Sequence, residues 1–302
     1  MSNPFFLDRL ANEPHALAFA GQSTPWPVAL ADETANPVLD ERLHTHVSNA
    51  QNLLYPVSAD LLATTGRPVD LFSFTPNPAK LGAAANAAAS VPGIALAQLG
   101  ALIDAAELGY NPAEAKPVAV LGHSQGILAV HMVRAIEEAG TIDAAACKID
   151  EILAIAQLIG VAGTRQARQL GLAARHGEAT PMLSVKDITR AQVDALIERV
   201  DSARGPIAVA VTNSATHYVL SGYPEDLAAF SVEVAKEHKR QAKLREEKVR
   251  GGRVFNPVLE YLDVTLPFHS PLMADAVAQT VAWAEACGID GSHARELAAE
   301  VL

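Results

Sequence analysis

Gly122-His123-Ser124-Gln125-Gly126 fits the pattern G-x-S-x-G and lies between two runs of opposite character. Pro117–His123 before it reads as a buried β-run, and Ser124–Ala139 after it reads as a helix. A strand-to-helix bend this sharp leaves no room for Cβ atoms on either side of the serine, which explains the glycines. It would hold the Ser124 hydroxyl clear of the sheet, with first-turn amides, that of Gln125 among them, aimed at any oxyanion formed there. A serine hydroxyl is a poor nucleophile and needs a base. Among ten histidines, His269 stands apart, because Pro267 and Pro271 stiffen the backbone around it at the end of a β-like run. That rigidity suits a base held within hydrogen-bond reach of Ser124. His123 neighbours Ser124 in the chain and reads as packing the elbow. His131 reads as structural, and His15, His44, His46, His176, His217, His238 and His293 as surface, strand-end or polar-helix residues.

These residues need elements to position them. His15–Gly21 reads as a small buried strand ending in a Gly-Gln-Ser turn, and residues 33–65 carry apolar positions at helical spacing. Arg67–Lys80 reads as loop with a short strand, Val91–Gly109 as a helix after an early proline, and Ala144–Gln169 as a further helix. Strand, turn and helix recur, which predicts a layered α/β domain. From Gly177 the texture changes. Strands are expected at Pro181–Val185, Pro206–Asn213, His217–Gly222 and a final run ending in LDVTLPFHS. Helices are expected after Thr189, a plausible cap, and at Pro224–His238. The order β-α-β-β-α-β is that of a ferredoxin-like unit.

The expected fold class is therefore α/β. It has an α/β-hydrolase-like large subdomain with a parallel sheet, residues 1–176 and 266–302, and an inserted ferredoxin-like small subdomain, residues 177–265. A catalytic cleft is expected between them.

Half of the 302 residues are hydrophobic and 19% are charged, which predicts a large packed core. The net charge of −11 argues against binding to nucleic acid or to an anionic membrane. Cys147 and Cys287 cannot build a disulfide framework and read as two buried small hydrophobes in a reducing compartment. No signal peptide is recognisable, and no apolar stretch is read as reaching the roughly 18 residues that span a bilayer. A soluble, cytoplasmic protein is expected. No metal cluster, Walker loop or dinucleotide fingerprint is visible. The run KEHKRQAKLREEKVRGGR is net basic and reads as a solvated helix end and loop, with contact to phosphates or a neighbouring domain as the functional alternative.

Gly21-Gln22, GHSQG and PFHSPLM together resemble the acyltransferase fold of malonyl- and acetyl-transferases in fatty acid and polyketide synthesis. The helix AQLIGVAGTRQAR, TNSATHYVLSG and KVRGGRVFNPV are similar to the acetyltransferase region near the N-terminus of bacterial type I fatty acid synthases. The fungal β-subunit counterparts match less closely. The resemblance implies a ping-pong [acyl-carrier-protein] S-acetyltransferase. Ser124 would take the acyl group from acetyl-CoA and pass it to the phosphopantetheine thiol of acyl carrier protein, with His269 as base and acid. It implies the backbone amides of Gln22 and Gln125 as oxyanion hole and Asn213 and His123 lining the substrate site, with a strand-end turn as the alternative role of Asn213. No permanently bound cofactor or metal is implied beyond CoA and the pantetheine arm. Implied partners are acetyl-CoA, the carrier domain and other domains of a homo-oligomeric synthase.

Where the family often has Gly-Gln-Gly, Ser23 replaces the last glycine. Malonyl-specific members carry an arginine on the second helix after the serine, suited to pairing a carboxylate. Here Ile159 aligns with it, which favours acetyl, although Arg165 and Arg168 follow nearby. The Gly-rich segment that in the family orients the histidine does not occur before residue 302, so a large subdomain truncated at its C-terminus is expected. The alternatives are malonyl-CoA:ACP transacylase, then a serine hydrolase or thioesterase, then a non-catalytic scaffold module.

Overall fold

The computed structural model describes Arg9 and residues 13–21, 24–73, 86–172, 179–246 and 255–302, with side chains through 244 in the fourth of these spans. They fall into two compact units: residues 1–165 with 276–301, and residues 166–275 with residue 302.

In the first unit, β1 (Ala16–Phe19) and β2 (Ala119–Gly122) pair in parallel, with Ala16 opposite Ala119 and Phe19 opposite Gly122. Around them are α1 (Trp26–Glu33), α2 (Pro37–Leu53), α3 (Ser58–Thr65), α4 (Ala87–Glu107), the short α5 (Pro112–Ala115), α6 (Ile127–Ala139), the start of α7 (Ala146–Gln169), most of α10 (Ala274–Ala286), and α11 (Gly291–Val301). The helical spacing over 33–65 is carried by two helices, α2 and α3. Pro37 opens α2, with the Asn36 side chain accepting from Val38 N, and the 3-10 turn Tyr55–Val57 separates α2 from α3.

Helix α4 is the centre of this unit. It begins at Ala87, four residues before the expected Val91, because Asn86 caps it and an alanine run carries the helix past Pro92. Its residues are buried on every side apart from Ala101 and the last turn. The expectation that no apolar stretch reaches spanning length is corrected by this helix, which has 21 residues and a mean hydropathy of 1.4 over its best window. That window is 89% buried, so the helix spends its apolar surface on protein neighbours. Helix α1 lies closely against it, and the Glu33 carboxylate occupies the space a side chain at Gly100 would fill.

Two further expectations need correction. The strands beside the elbow are half-exposed rather than buried, with Val118 at 71% and Leu121 at 59% exposure. Among the described residues this sheet has two strands, too few to enclose itself as larger parallel sheets do. The cysteines are not buried either: Cys147 is exposed and Cys287 intermediate. Cys147 lies two residues before Ile149, on the solvent side of an α7 whose apolar stripe includes Ile149, Ile152, Leu153 and Ala156.

In the second unit, β3 (Met182–Lys186), α8 (Arg190–Ile197), β4 (Ala208–Ser214), β5 (His217–Ser221), α9 (Pro224–Glu246) and β6 (Val258–Tyr261) follow the expected β-α-β-β-α-β order. The sheet order is β4-β5-β3-β6, every neighbouring pair antiparallel, which is the ferredoxin-like arrangement. Thr189 caps α8 in a capping box with Gln192. Leu183, Val185, Val193, Leu220, Leu227 and Phe230 form the core between sheet and helices. Helix α9 runs eight residues beyond the expected His238, into the charged run. The rest of that run, from 247, lies outside the described residues, as do 74–80 of the expected loop and strand. The last strand ends at Tyr261. Residues 262–270 are irregular, because Val264 N turns back to Leu262 O and Pro267 has no donor for a ladder.

Candidate active site

Ser124 sits at φ 54°, in the left-handed region that costs an ordinary side chain. His123 N bonds to Phe19 O at 2.9 Å, which ties β1 to the elbow, and Gly126 N closes back on His123 O at 3.0 Å. The glycines are sterically required. A Cβ on Gly122 would lie 2.6 Å from the backbone carbon of Gly126, and one on Gly126 would run into the carbonyl oxygen of Phe19. Gly21 closes the third side: a Cβ there would meet the His123 carbonyl oxygen and come 2.9 Å from Ser124 Cβ. The bend therefore exists because three chain segments meet with no side chain between them. Ser124 is half-buried, and Ser124–Gly126 form a 3-10 turn leading into α6. The Gln125 amide is thus in a first helical turn, where N–H groups lack an intrahelical acceptor. Its side chain is fully buried, and neither end of the carboxamide has a hydrogen-bond partner.

His269 lies in the second unit, also at φ 54°. Phe268 is buried beside it, Ser270 N donates to Leu302 O at 3.3 Å, and the Ser270 side chain accepts from Leu272 N to start the 3-10 turn Pro271–Met273. Gln166 Nε2 donates to Leu272 O at 3.2 Å. His269 is half-buried, and the chain directly after it is tied down by these bonds. Among the described residues only four non-glycine residues have positive φ, and two of them are the two that the sequence singles out for chemistry.

Of the other residues singled out, Gln22 lies outside the described residues. His123 is exposed rather than packed into the elbow. Ile159 is fully buried on α7. Arg165 is exposed over the Trp283 ring at 5.8 Å and donates to Gln279 Oε1 at 3.2 Å, and Arg168 is exposed too. Asn213, in the second unit, is exposed at the end of β4, its amide 3.4 Å from His217 Nε2. A cavity of about 470 Å³ in the first unit is lined from α2 and α3 and by Gln157 and Val161 of α7. It includes none of the residues singled out, and helical spacing places Gln157 and Val161 opposite Ile159 on α7.

Two features escaped the sequence. His46, read as a surface histidine, is buried with Nδ1 2.6 Å from Asp150 Oδ1, while Asn49 Nδ2 donates to Asp150 Oδ2 at 2.9 Å. The signal was present, since position 46 continues the buried stripe Leu39, Leu43, Ala50. Glu33 has its carboxyl pushed up to about 8 by burial first, then by the charges of Asp104 and Asp32. Among the described residues no group of three or more His, Cys, Asp or Glu is placed to hold a metal.

Residues 181–261 match the family model described as the fatty acid synthase central AT domain. The chain is 30% identical over 173 residues to fatty acid synthase 2 of Mycosarcoma maydis, covering 54% of this chain and 5% of that protein. It is 26% identical over 207 residues to the fatty acid synthase subunit beta of Schizosaccharomyces pombe, covering 63% and 10%. It thus spans a tenth or less of the curated relatives it matches. The fold is that of the MCAT from Mycobacterium tuberculosis, with TM-score 0.59, 19% identity and coverage of 96% and 81%. Equally similar is the malonyl CoA-acyl carrier protein transacylase from Coxiella burnetii, at 0.59, 17%, 96% and 79%. A malonyl-transacylase solved in complex with a type II PKS acyl-carrier protein gives 0.58, 17%, 96% and 81%. By sequence the likeness is to fatty acid synthases, with residues 181–261 matching their central AT domain, and by fold it is to malonyl transacylases.

Proposed function

We propose that this chain is the acyltransferase domain of a fatty acid synthase, loading acetyl groups through an acyl-serine at Ser124. The observation that carries the reading is the glycine-walled elbow holding Ser124 at φ 54° on the start of a helix. In the first half-reaction His269 takes the Ser124 proton while Oγ attacks the thioester carbonyl. The C–O bond forms, the C–S bond breaks, and CoA leaves with the proton from His269. The pantetheine thiol of acyl carrier protein then attacks the acyl-serine, giving its proton to His269, which returns it to Ser124. The amides of Gln125 and Gln22 stabilise the oxyanion in both halves. Carrier protein and the other domains of the synthase are the partners, in line with the carrier complex of the similar malonyl-transacylase. The protein is expected to work in the cytoplasm.

Acetyl is favoured because the residue aligned with the malonyl-binding arginine is the buried, apolar Ile159, while Arg165 and Arg168 are exposed. A free carboxylate buried there without a cation would be strongly disfavoured. Malonyl transfer is the second reading, supported by the shared fold of two malonyl transacylases. A competition between equimolar labelled acetyl-CoA and malonyl-CoA on the full-length protein, quenched in acid and mapped by peptide, separates them. Acetyl on Ser124 should exceed malonyl by about tenfold. Predominant malonyl-serine overturns the acetyl assignment, and no label at Ser124 overturns the acyltransferase reading.

A further inference from the structure

Gln98 is a carboxamide in the middle of the apolar helix α4, 8% exposed and far in sequence from the elbow. Its Nε2 donates to the carbonyl oxygen of Ala20 at 2.6 Å, while its Oε1 is buried with no partner. Filling this space with an amide leaves an acceptor orphaned, which an apolar side chain of the same length would avoid. What the amide provides in return is the orientation of one peptide.

That peptide is the one on which the elbow rests. The Ala20 carbonyl oxygen lies 3.0 Å from the position of a Cβ on Gly126, and a Cβ on Gly21 would run into the His123 carbonyl oxygen, Ser124 Cβ and the Gln125 nitrogen. On its other side Gly21 is fixed as well, because its carbonyl accepts from Thr24 Oγ1 at 2.7 Å and Thr24 N at 3.2 Å. Ala20–Gly21 is therefore gripped between the nucleophile turn, Gln98 and Thr24. Rotating that peptide would move the backbone surface that backs Ser124.

We infer that Gln98 is a positioning residue for acyl transfer, holding the Ala20–Gly21 peptide against the Ser124 elbow so that the nucleophile keeps its transition-state geometry. The inference rests on the proposed role of Ser124. A group that positions the site without touching the thioester should act on the chemical step and leave substrate affinity alone.

The test is single-turnover acylation of the full-length protein by labelled acetyl-CoA, with Gln98→Met and Gln98→Glu beside wild type. Gln98→Met keeps the volume and loses the donor. Its limiting rate should fall by about tenfold or more while the half-saturating acetyl-CoA concentration stays within about twofold. Gln98→Glu donates only when protonated, so its rate relative to wild type should climb as pH falls, a signature that mere loss of packing would not give. A Gln98→Met rate within about twofold of wild type overturns the inference alone, as does a loss confined to half-saturation or a Gln98→Glu ratio flat with pH. Wild-type protein that never acquires label on Ser124 overturns the inference together with the reading it rests on.

Discussion

Ser124 and His269 share a backbone angle, φ 54°, and reach it by opposite means. The elbow is a collision avoided: Gly21, Gly122 and Gly126 bring three segments together so closely that the chain at 124 has one way through. The turn at His269 is anchored just after it instead, by the Ser270 bond to Leu302 and by the cap and proline that start the next turn. At the elbow the conformation is set by neighbours in space, while the chain at His269 is held by bonds on the residues that follow it. Insults to the backbone should therefore be far more damaging at the first than at the second.

The sharpest separation of fold from chemistry comes at the turn. His269→Gly supplies a residue at ease at positive φ and removes the imidazole. It should lower acyl transfer by about a hundredfold to ten-thousandfold while leaving stability unchanged or raised by up to about 1 kcal/mol. Transfer assays paired with urea unfolding read both. A variant as active as wild type would break the comparison, because His269 would then have no chemical reason for its strain.

At the elbow the expectation is reversed. Gly126→Ala drives a methyl into the Phe19 carbonyl, so unfolding free energy should fall by about 3 kcal/mol or more. Denaturant titration measures it. A loss under about 1 kcal/mol would show the elbow to be as forgiving as the turn.

The smallest effect concerns the helix that follows the Gly21 loop. Glu33, seated over Gly100 on α4, carries its proton up to about pH 8 when folded, against an ordinary value of 4.5. Between these values the folded chain holds the proton more firmly than the unfolded one. Stability is therefore present below about 4.5 and is lost as pH rises through about 8. Glu33→Gln should flatten that slope in urea unfolding across the window, and an unchanged slope would remove Glu33 as its source.

What the sequence revealed follows the range of the cause. The elbow was legible because its constraint is local: glycines two residues either side of a serine, between a strand and a helix. The ferredoxin-like unit was legible for the same reason, since its strands, caps and helices alternate within a short stretch. His46 and Gln98 were not singled out, because their partners Asp150 and Ala20 lie 104 and 78 residues away. Both nevertheless left a trace, a polar residue inside an apolar stripe. Exposure of the β1–β2 pair was missed because the same apolar run fits an enclosed strand as well as an open one. Cys147 was misjudged by residue type, where its helical phase placed it outward.

Helix α4 also bears on how the protein must be made. Its packing partners include α6 and, at Gly160, α7, both later in the chain: residues 87–107 emerge before 127–139 and 146–169 do. Throughout that interval of synthesis, a segment greasy enough to enter a lipid bilayer is without its final cover. Nascent chains paused there should be the form that holdase chaperones grip and that clumps when they are scarce.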